Sequence, residues 1–148
     1  MSNMLDMITV GIFFIIFCMA SIVGFFVFTN LTADTSLIPA NIASGAGDFY
    51  KSMNNVAIFI MIGMLVGAML SAYMIKTNPV YIIVPVAFIF IQVVVIVPLI
   101  NAFNGFADSS TFAASAAAMD EMVSLVNAMP LFTIVGSLVA AVVGLSRE

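Results

Sequence analysis

The chain of 148 residues is 64% hydrophobic and only 7% charged, with a formal net charge of −4 and a mean hydropathy of +1.29. An ordinary soluble domain carries about 25% charged residues, so this chain has too little charge to cover a surface that faces water. The composition excludes a soluble globular domain and predicts an all-α integral membrane protein.

Missing residue types exclude several classes of chemistry. The chain has no histidine and one cysteine, Cys18, which excludes a Cys/His zinc site, a histidine-based catalytic couple and an intramolecular disulfide. Three basic residues are too few for a surface that binds nucleic acid. With no phosphate-binding loop either, we expect no catalytic, cofactor-binding or metal-binding residues, and a protein that is not an enzyme.

The apolar runs predict four spans in a single transmembrane domain over residues 1–148. Roughly 20 apolar residues cross a hydrocarbon core of about 30 Å. The fourth run is short for a full crossing, although residues 122–129 could extend it or the bilayer could be thinner there. The second and third are joined by Thr77-Asn78-Pro79, which predicts a tight antiparallel hairpin. The predicted spans are residues 7–29, 56–75, 80–100 and 130–145.

Each long connection between spans contains apolar residues at helical spacing, opposite polar ones. This pattern predicts an amphipathic helix that lies on the membrane surface. The two predicted interfacial helices cover residues 41–55 and 111–127. Their apolar positions are Ile42, Ala46, Phe49 and Met53 in the first, and Phe112, Ala116, Met119, Val123 and Val126 in the second.

The charges are distributed unequally between the two sides that this topology defines. Both chain ends and Lys76 share one side, and the bias of basic residues towards the cytoplasm places that side in the cytoplasm or in a compartment derived from it. The other side carries Lys51 and an excess of carboxylates. The predicted outer acidic surface consists of Asp34, Asp48, Asp108, Asp120 and Glu121.

A constant offset of 73 residues suggests that a hairpin-like unit occurs twice, although coincidental matches are frequent in hydrophobic sequence. If the duplication is real, we expect two parallel units related by an axis along the membrane normal. The matched pairs are Asp48 with Glu121, Asn54 with Asn127, Phe59 with Phe132, Gly63 with Gly136, Gly67 with Ala140, and Ser71 with Gly144.

Small residues and one glutamine are the candidates for contacts between spans. Small residues four apart let helix backbones approach closely. Gln92, deep in the third span, favours a hydrogen bond between helices over a ligand site. The predicted packing residues are Gly63, Gly67 and Ser71 on the second span, and Gly136, Ala140 and Gly144 on the fourth.

Three short segments carry a family resemblance: Thr77-Asn78-Pro79 before a long aliphatic span, Asn101-Ala102-Phe103 after it, and Met129-Pro130 at the last span. The layout resembles that of small multispan membrane proteins of tailless icosahedral viruses with an internal lipid membrane. The resemblance implies a structural protein of the virion membrane beneath a protein shell, without catalytic residues. The chain lacks the basic inner tail that would anchor a genome.

We therefore expect a structural protein that organises or curves a virion's internal membrane and contacts capsid proteins through its outer acidic surface. The expected partners are the lipid bilayer, further copies of the chain or neighbouring membrane proteins, and capsid proteins. Two alternatives remain open. A holin-like pore former in a host cytoplasmic membrane would share the same composition, as would a membrane subunit of a secretion or transport complex.

Overall fold

The computed structural model describes residues 2–33, 38–74 and 83–145. These residues contain five helices and no strand, so the predicted all-α class is confirmed for this part of the chain. The helices are α1 (Ser2–Ala33), α2 (Ala40–Met74), α3 (Ile83–Ala107), α4 (Ala113–Ala117) and α5 (Asp120–Leu145).

Helix α2 joins the first predicted interfacial segment to the second predicted span without a break. Its start is fixed by the carbonyl of Pro39, which accepts hydrogen bonds of 3.0 Å from the amides of Ile42 and Ala43. Residues 41–74 contain no proline that would stop the helix. A separate helix ending at residue 55 was therefore a wrong prediction, because a change from polar to apolar composition does not end a helix.

Helix α5 likewise joins much of the second predicted interfacial segment to the fourth predicted span, passing through Pro130. This proline has no amide hydrogen to donate to the carbonyl of Val126. The helix continues through Pro130 because the side chains on both sides of the proline are buried in the bundle. Met122, Val126 and Met129 before it are fully buried, and Thr133 after it is 9% exposed. The helix that contains the fourth predicted span therefore begins at Asp120, and the extension of that span towards its N-terminus, which the sequence left open, is present.

The four long helices form a bundle in which α1 and α5 each pack against both α2 and α3. Contacts between α1 and α5 are sparse, and α2 with α3 is not among the well-packed pairs of the described residues. The predicted tight hairpin between the second and third spans therefore stays a prediction. The turn itself, residues 75–82, lies outside the described residues.

Residue contacts fix the helix directions. Tyr50 lies against Gly24, so α2 returns antiparallel to α1. The side chain of Asn104 is hydrogen-bonded to that of Asn127, so α5 runs antiparallel to α3. The two hairpins, α1–α2 and α3–α5, stand side by side with both connections at one end of the bundle. The corresponding helices α1 and α3 are neighbours, as are α2 and α5.

This arrangement of neighbouring helices contradicts the expected symmetry axis between the two units. An axis along the membrane normal would put corresponding helices on opposite sides of the bundle, whereas here they are neighbours. The hairpins are related more nearly by a sideways shift, as units are in stacked helical repeats.

The bundle core is apolar, and three of its buried hydroxyls, those of Ser21, Thr133 and Ser137, donate to carbonyls of their own helices. Buried side chains on α1 recur every three or four residues, as at Phe14, Cys18 and Ile22. The hydroxyls of Thr133 and Ser137 donate to carbonyls one turn earlier, at 3.0 and 2.8 Å. A helix can bury hydroxyls without a partner helix in this way.

Two helices of the described part are long and apolar enough to cross a bilayer: Thr9–Ala33 and Asp120–Val139. Only 33% of the most apolar 18-residue window of each is buried within the protein, whereas the core helix of a soluble protein is mostly buried. Val93–Ala107 is a shorter apolar helix. The second and third predicted spans remain predictions.

Candidate functional site: the acidic end of the bundle

The end of the bundle that carries both connections, here called the acidic end, gathers exposed carboxylates from both hairpins. Asp108 immediately follows α3, and Asp120 with Glu121 forms the first turn of α5. Asp48 lies about 12 Å from the start of α2 at 1.5 Å per residue. All four are exposed. The fifth predicted member, Asp34, lies outside the described residues.

Asp120 and Glu121 occupy positions where negative charge stabilises a helix. The first amides of an α-helix lack partners and carry a partial positive charge. Both carboxylates are exposed and stand in that first turn, so they remain open to a partner. This end therefore presents charge in water without burying any of it.

Aromatic rings support the acidic end from below. Tyr50 of α2 meets Phe25 and Phe28 of α1, each with ring centroids 5.6 Å apart. Phe112, in the connection between α3 and α5, contacts Phe26 of α1 at 5.1 Å and Phe106 of α3 at 4.5 Å. Phe112 thus holds the second connection against α1 and α3, and Tyr50 joins α2 to α1.

The second connection packs against the helices of the bundle. Its predicted apolar face is buried at Ala116, Met119 and Val126, and the short helix α4 contacts α1 and α5. The spacing of the apolar residues correctly predicted which face is hidden, and the exposed face with Asp120 and Glu121. The partner was wrong: the bundle, not lipid, covers this face.

Two asparagines join α3 to α5 near the acidic end. The amide nitrogen of Asn104 donates a hydrogen bond of 2.8 Å to the amide oxygen of Asn127, whose own nitrogen donates to the carbonyl of Val123 at 3.1 Å. From the sequence, Asn127 was assigned to the repeat and to the polar face of the second interfacial segment, and Asn104 was not singled out. An asparagine near the acidic end of each of two helices was the available signal.

The predicted packing glycines have different surroundings in the two hairpins. Gly136 on α5 is buried, whereas Gly63 and Gly67 on α2 are exposed, with no atom within 4 Å of where a Cβ would stand. For Ser71, Ala140, Gly144 and Gln92, the structure describes only the helical backbone.

The acidic end presents exposed carboxylates, but its described residues form no cluster of metal ligands. Among the described residues, no three His, Cys, Asp or Glu side chains lie close enough together to hold a metal ion. What the arrangement can do chemically is attract a basic surface through exposed carboxylates.

Comparison with known protein families, characterised proteins and solved structures finds no match to this chain.

Proposed function

We propose that this chain is a structural integral membrane protein whose acidic end projects from the bilayer to bind a basic protein surface. The proposal depends on one contrast: the side of the bundle is apolar, whereas its acidic end carries exposed charges. Large apolar side chains cover the outside of both candidate spans. They are Phe13, Ile16, Val23 and Val27 on α1, and Leu131, Val135, Leu138 and Val142 on α5.

This contrast favours lipid as the solvent of the helices. A soluble monomer rarely exposes a contiguous apolar patch larger than a few hundred Å², and here the apolar outside follows two helices for most of their length. The exposed carboxylates lie at the acidic end, where a membrane protein meets water.

The setting we propose is a virion's internal membrane beneath a protein shell. Its support is the resemblance of the segments around Pro79, Asn101 and Pro130 to those of small viral membrane proteins, together with the acidic end as a contact for basic capsid segments. Attraction between exposed charges is screened over about 10 Å at 0.1 M salt. The contact should therefore weaken steeply as salt is added.

The first experiment is quantitative mass spectrometry of density-purified, lipid-containing particles against host membranes from the same culture. We expect enrichment in the particles at many copies per shell. Presence in host membranes alone would overturn the virion setting. In that case, depolarisation of cells on expression would identify a pore former, and co-purification with soluble cellular proteins would identify a subunit of a membrane complex.

A second experiment tests the acidic end itself. Neutralising the five carboxylates together (Asp34→Asn, Asp48→Asn, Asp108→Asn, Asp120→Asn, Glu121→Gln) should weaken attachment of the membrane to the shell at low salt. Asp108→Asn alone is compared with the matched control Asp6→Asn, which removes one charge near the start of α1, at the opposite end of the bundle. Unchanged attachment at low salt in the fivefold variant would exclude the acidic end as the contact.

A further inference from the structure

The outer side of α5 changes from polar to apolar part-way along the helix, although the helix itself is unbroken. The exposed positions of its first part are all polar: Asp120, Glu121, Ser124 and Asn127. The exposed positions described beyond them are all large and apolar: Leu131, Val135, Leu138 and Val142. The first part of α5 is therefore helical, but its outer side suits water, because polar side chains are costly in lipid.

Helix α3 changes at the same height. Val94 and Val97 are 71% and 37% exposed, and no large apolar side chain of α3 beyond Val97 is exposed. The next exposed polar position is Asn101. The hydrogen bond from Asn104 to Asn127 holds the changes on α3 and α5 side by side. The second hairpin thus offers lipid an outer side only on the part that lies farther from the acidic end than these residues.

On α2 of the first hairpin, the change comes at Asn55. This residue is the last exposed polar position before Val56, Phe59 and Ile62, which are 42–73% exposed. Nearer the acidic end, the exposed side of α2 is mainly polar, with Ile42 and Phe49 as apolar exceptions. Its polar members are Asn41, Ser44, Asp48, Lys51 and Ser52.

Two close contacts place α2 and α5 on one scale of height. Gly24 lies against Tyr50, and α1 and α2 are antiparallel, so counting 13 residues from each puts Gly11 level with Gly63. Gly11 in turn lies against Met129 of α5. Gly63 and Met129 are therefore at about the same distance from the acidic end.

Measured from this common level, the change on α2 lies closer to the acidic end than the change on α5. Asn55 is eight residues above Gly63, and Asn127 is two residues above Met129, where above means closer to the acidic end. The difference is six residues, or about 9 Å along a helix. The polar surface thus extends farther down α5 than down α2.

The other two helices show a difference of the same sign. The ring of Phe112 contacts both Phe26 on α1 and Phe106 on α3, which brings these two residues to similar heights. Thr29, the last exposed polar position of α1 at this end, is three residues above Phe26, whereas Asn101 is five residues below Phe106. The difference is eight residues, or about 12 Å.

Tilting of the whole bundle does not remove this difference. Packed helices stand about 8–10 Å apart, so a difference of about 9–12 Å between neighbours corresponds to a tilt of roughly 45–50°. Helices that span a membrane tilt by about 20° on average and by up to about 40°. A bilayer adapts to a short apolar stretch by becoming thinner beside it, and thinning has to remove what tilting leaves.

We propose that the leaflet at the acidic end is thinner beside the second hairpin than beside the first, so that water and headgroups reach Asn101 and Asn127. The chain then favours membrane regions in which this leaflet is thin or bent, which gives the proposed organising role a physical basis. Asp120, seven residues from Asn127, stands about 10 Å clear of the headgroups, where a basic partner reaches it. The inference rests on the bilayer placement proposed above.

The test compares spin labels at matched heights on the two hairpins, in vesicles of dioleoylphosphatidylcholine. In a Cys18→Ser background, the label is attached to Ser124→Cys on α5 or to Phe59→Cys on α2. By the count from Gly63 and Met129, these positions differ in height by one residue, and both are exposed, so the fold should survive. A nickel chelate in water should relax the label at position 124 several-fold more than the label at position 59. Oxygen, which concentrates in lipid, should do the reverse.

Two results would overturn the proposal. Similar relaxation of both labels by the nickel chelate would show that the two hairpins meet water at the same height. A label at position 124 that neither reagent reaches would show that protein, and not water, covers this side of α5. Flotation tests the underlying placement separately, because a protein that does not float with the vesicles has no bilayer position to compare.

A second measurement does not depend on labels. The protein is extracted in polymer-bounded discs from vesicles that mix short-chain and long-chain phosphatidylcholine, and the lipid in the discs is quantified by mass spectrometry. The natural chain should enrich the short-chain lipid. Asn101→Leu with Ser124→Leu makes the outer side of the second hairpin apolar to a greater height and should abolish the enrichment.

The matched control is Ser110→Leu with Thr111→Leu, which changes two exposed polar residues of the second connection, above the proposed water boundary. This control should keep the enrichment in short-chain lipid. The same enrichment in the Asn101→Leu/Ser124→Leu variant as in the natural chain would contradict a thinner leaflet beside the second hairpin.

Discussion

The hydroxyl of Tyr50 on α2 lies so close to Gly24 on α1 that a Cβ added at Gly24 would stand 3.1 Å from the oxygen. This close approach sets the spacing of the first hairpin at the acidic end, where the Tyr50 ring also meets Phe25 and Phe28.

A larger residue at position 24 should force the hairpin apart. We expect Gly24→Leu to lower the free energy of unfolding by about 1–3 kcal/mol, the usual cost of overfilling a packed contact. The measurement is a denaturation midpoint in mixed detergent micelles. Gly105→Leu is the control, because that position has no neighbour within 4 Å. Equal midpoints for the two variants would contradict the tight α1–α2 contact.

Phe112 should hold the second connection in place. Phe112→Ala removes ring contacts to Phe26 and Phe106, each worth about 0.5–1.5 kcal/mol. We expect faster proteolysis within residues 108–119, with little change elsewhere. Phe59→Ala, at a ring that is 73% exposed, should leave the cleavage pattern as it is. A protected connection in the Phe112 variant would indicate that α4 holds itself in place.

Asn54 should be replaceable by an apolar residue at a gain in stability. Its amide oxygen is buried without a hydrogen-bond partner, and such an atom costs about 1–3 kcal/mol. Asn54→Leu should therefore raise the denaturation midpoint. Asn127→Leu should lower it, because that change removes the acceptor of the 2.8 Å bond from Asn104. A lower midpoint for the Asn54 variant would show that its oxygen has a partner in the membrane.

Cys18 should resist modification in the folded protein. Its side chain is fully buried on α1, so a maleimide reagent should label it only after denaturation in dodecyl sulfate. A Cys18→Ser/Ser110→Cys variant provides the exposed comparison, since Ser110 is exposed in the second connection. Rapid labelling of Cys18 in the native protein would mean that α1 does not pack as described.

The sequence allowed prediction of the helices and of the hidden face at the start of α5, but not of what covers that face. The predicted apolar face of the first interfacial segment is not hidden, because Ile42 and Phe49 are each 56% exposed. The spacing of Ala116, Met119 and Val126 identified an apolar side, yet lipid and a neighbouring helix select the same residues. Only the three-dimensional contacts distinguish the two. The same limit applies to Gly63 and Gly136, because identical small residues at corresponding positions give no sign that one is buried and the other open.

Helix boundaries were missed for a related reason. Asn54 and Asn55 mark a change of composition inside α2, and Pro130 marks one inside α5, but neither ends its helix. Helix ends depend on where backbone groups find other partners, as the carbonyl of Pro39 shows at the start of α2. At the candidate site, the carboxylates could be predicted because charge is rare in this chain, whereas the bond from Asn104 to Asn127 depends on how α3 and α5 are aligned.

The position of Phe112 between two hairpins has a mechanical consequence. Its ring touches Phe26 in the first hairpin and Phe106 in the second, and it lies on the same connection as Asp108. A pulling force applied by a partner at Asp108 would be divided between α1 and α3, and would not peel one helix from the bundle. If the acidic end binds a partner as proposed, tension from that partner would reach both hairpins at once.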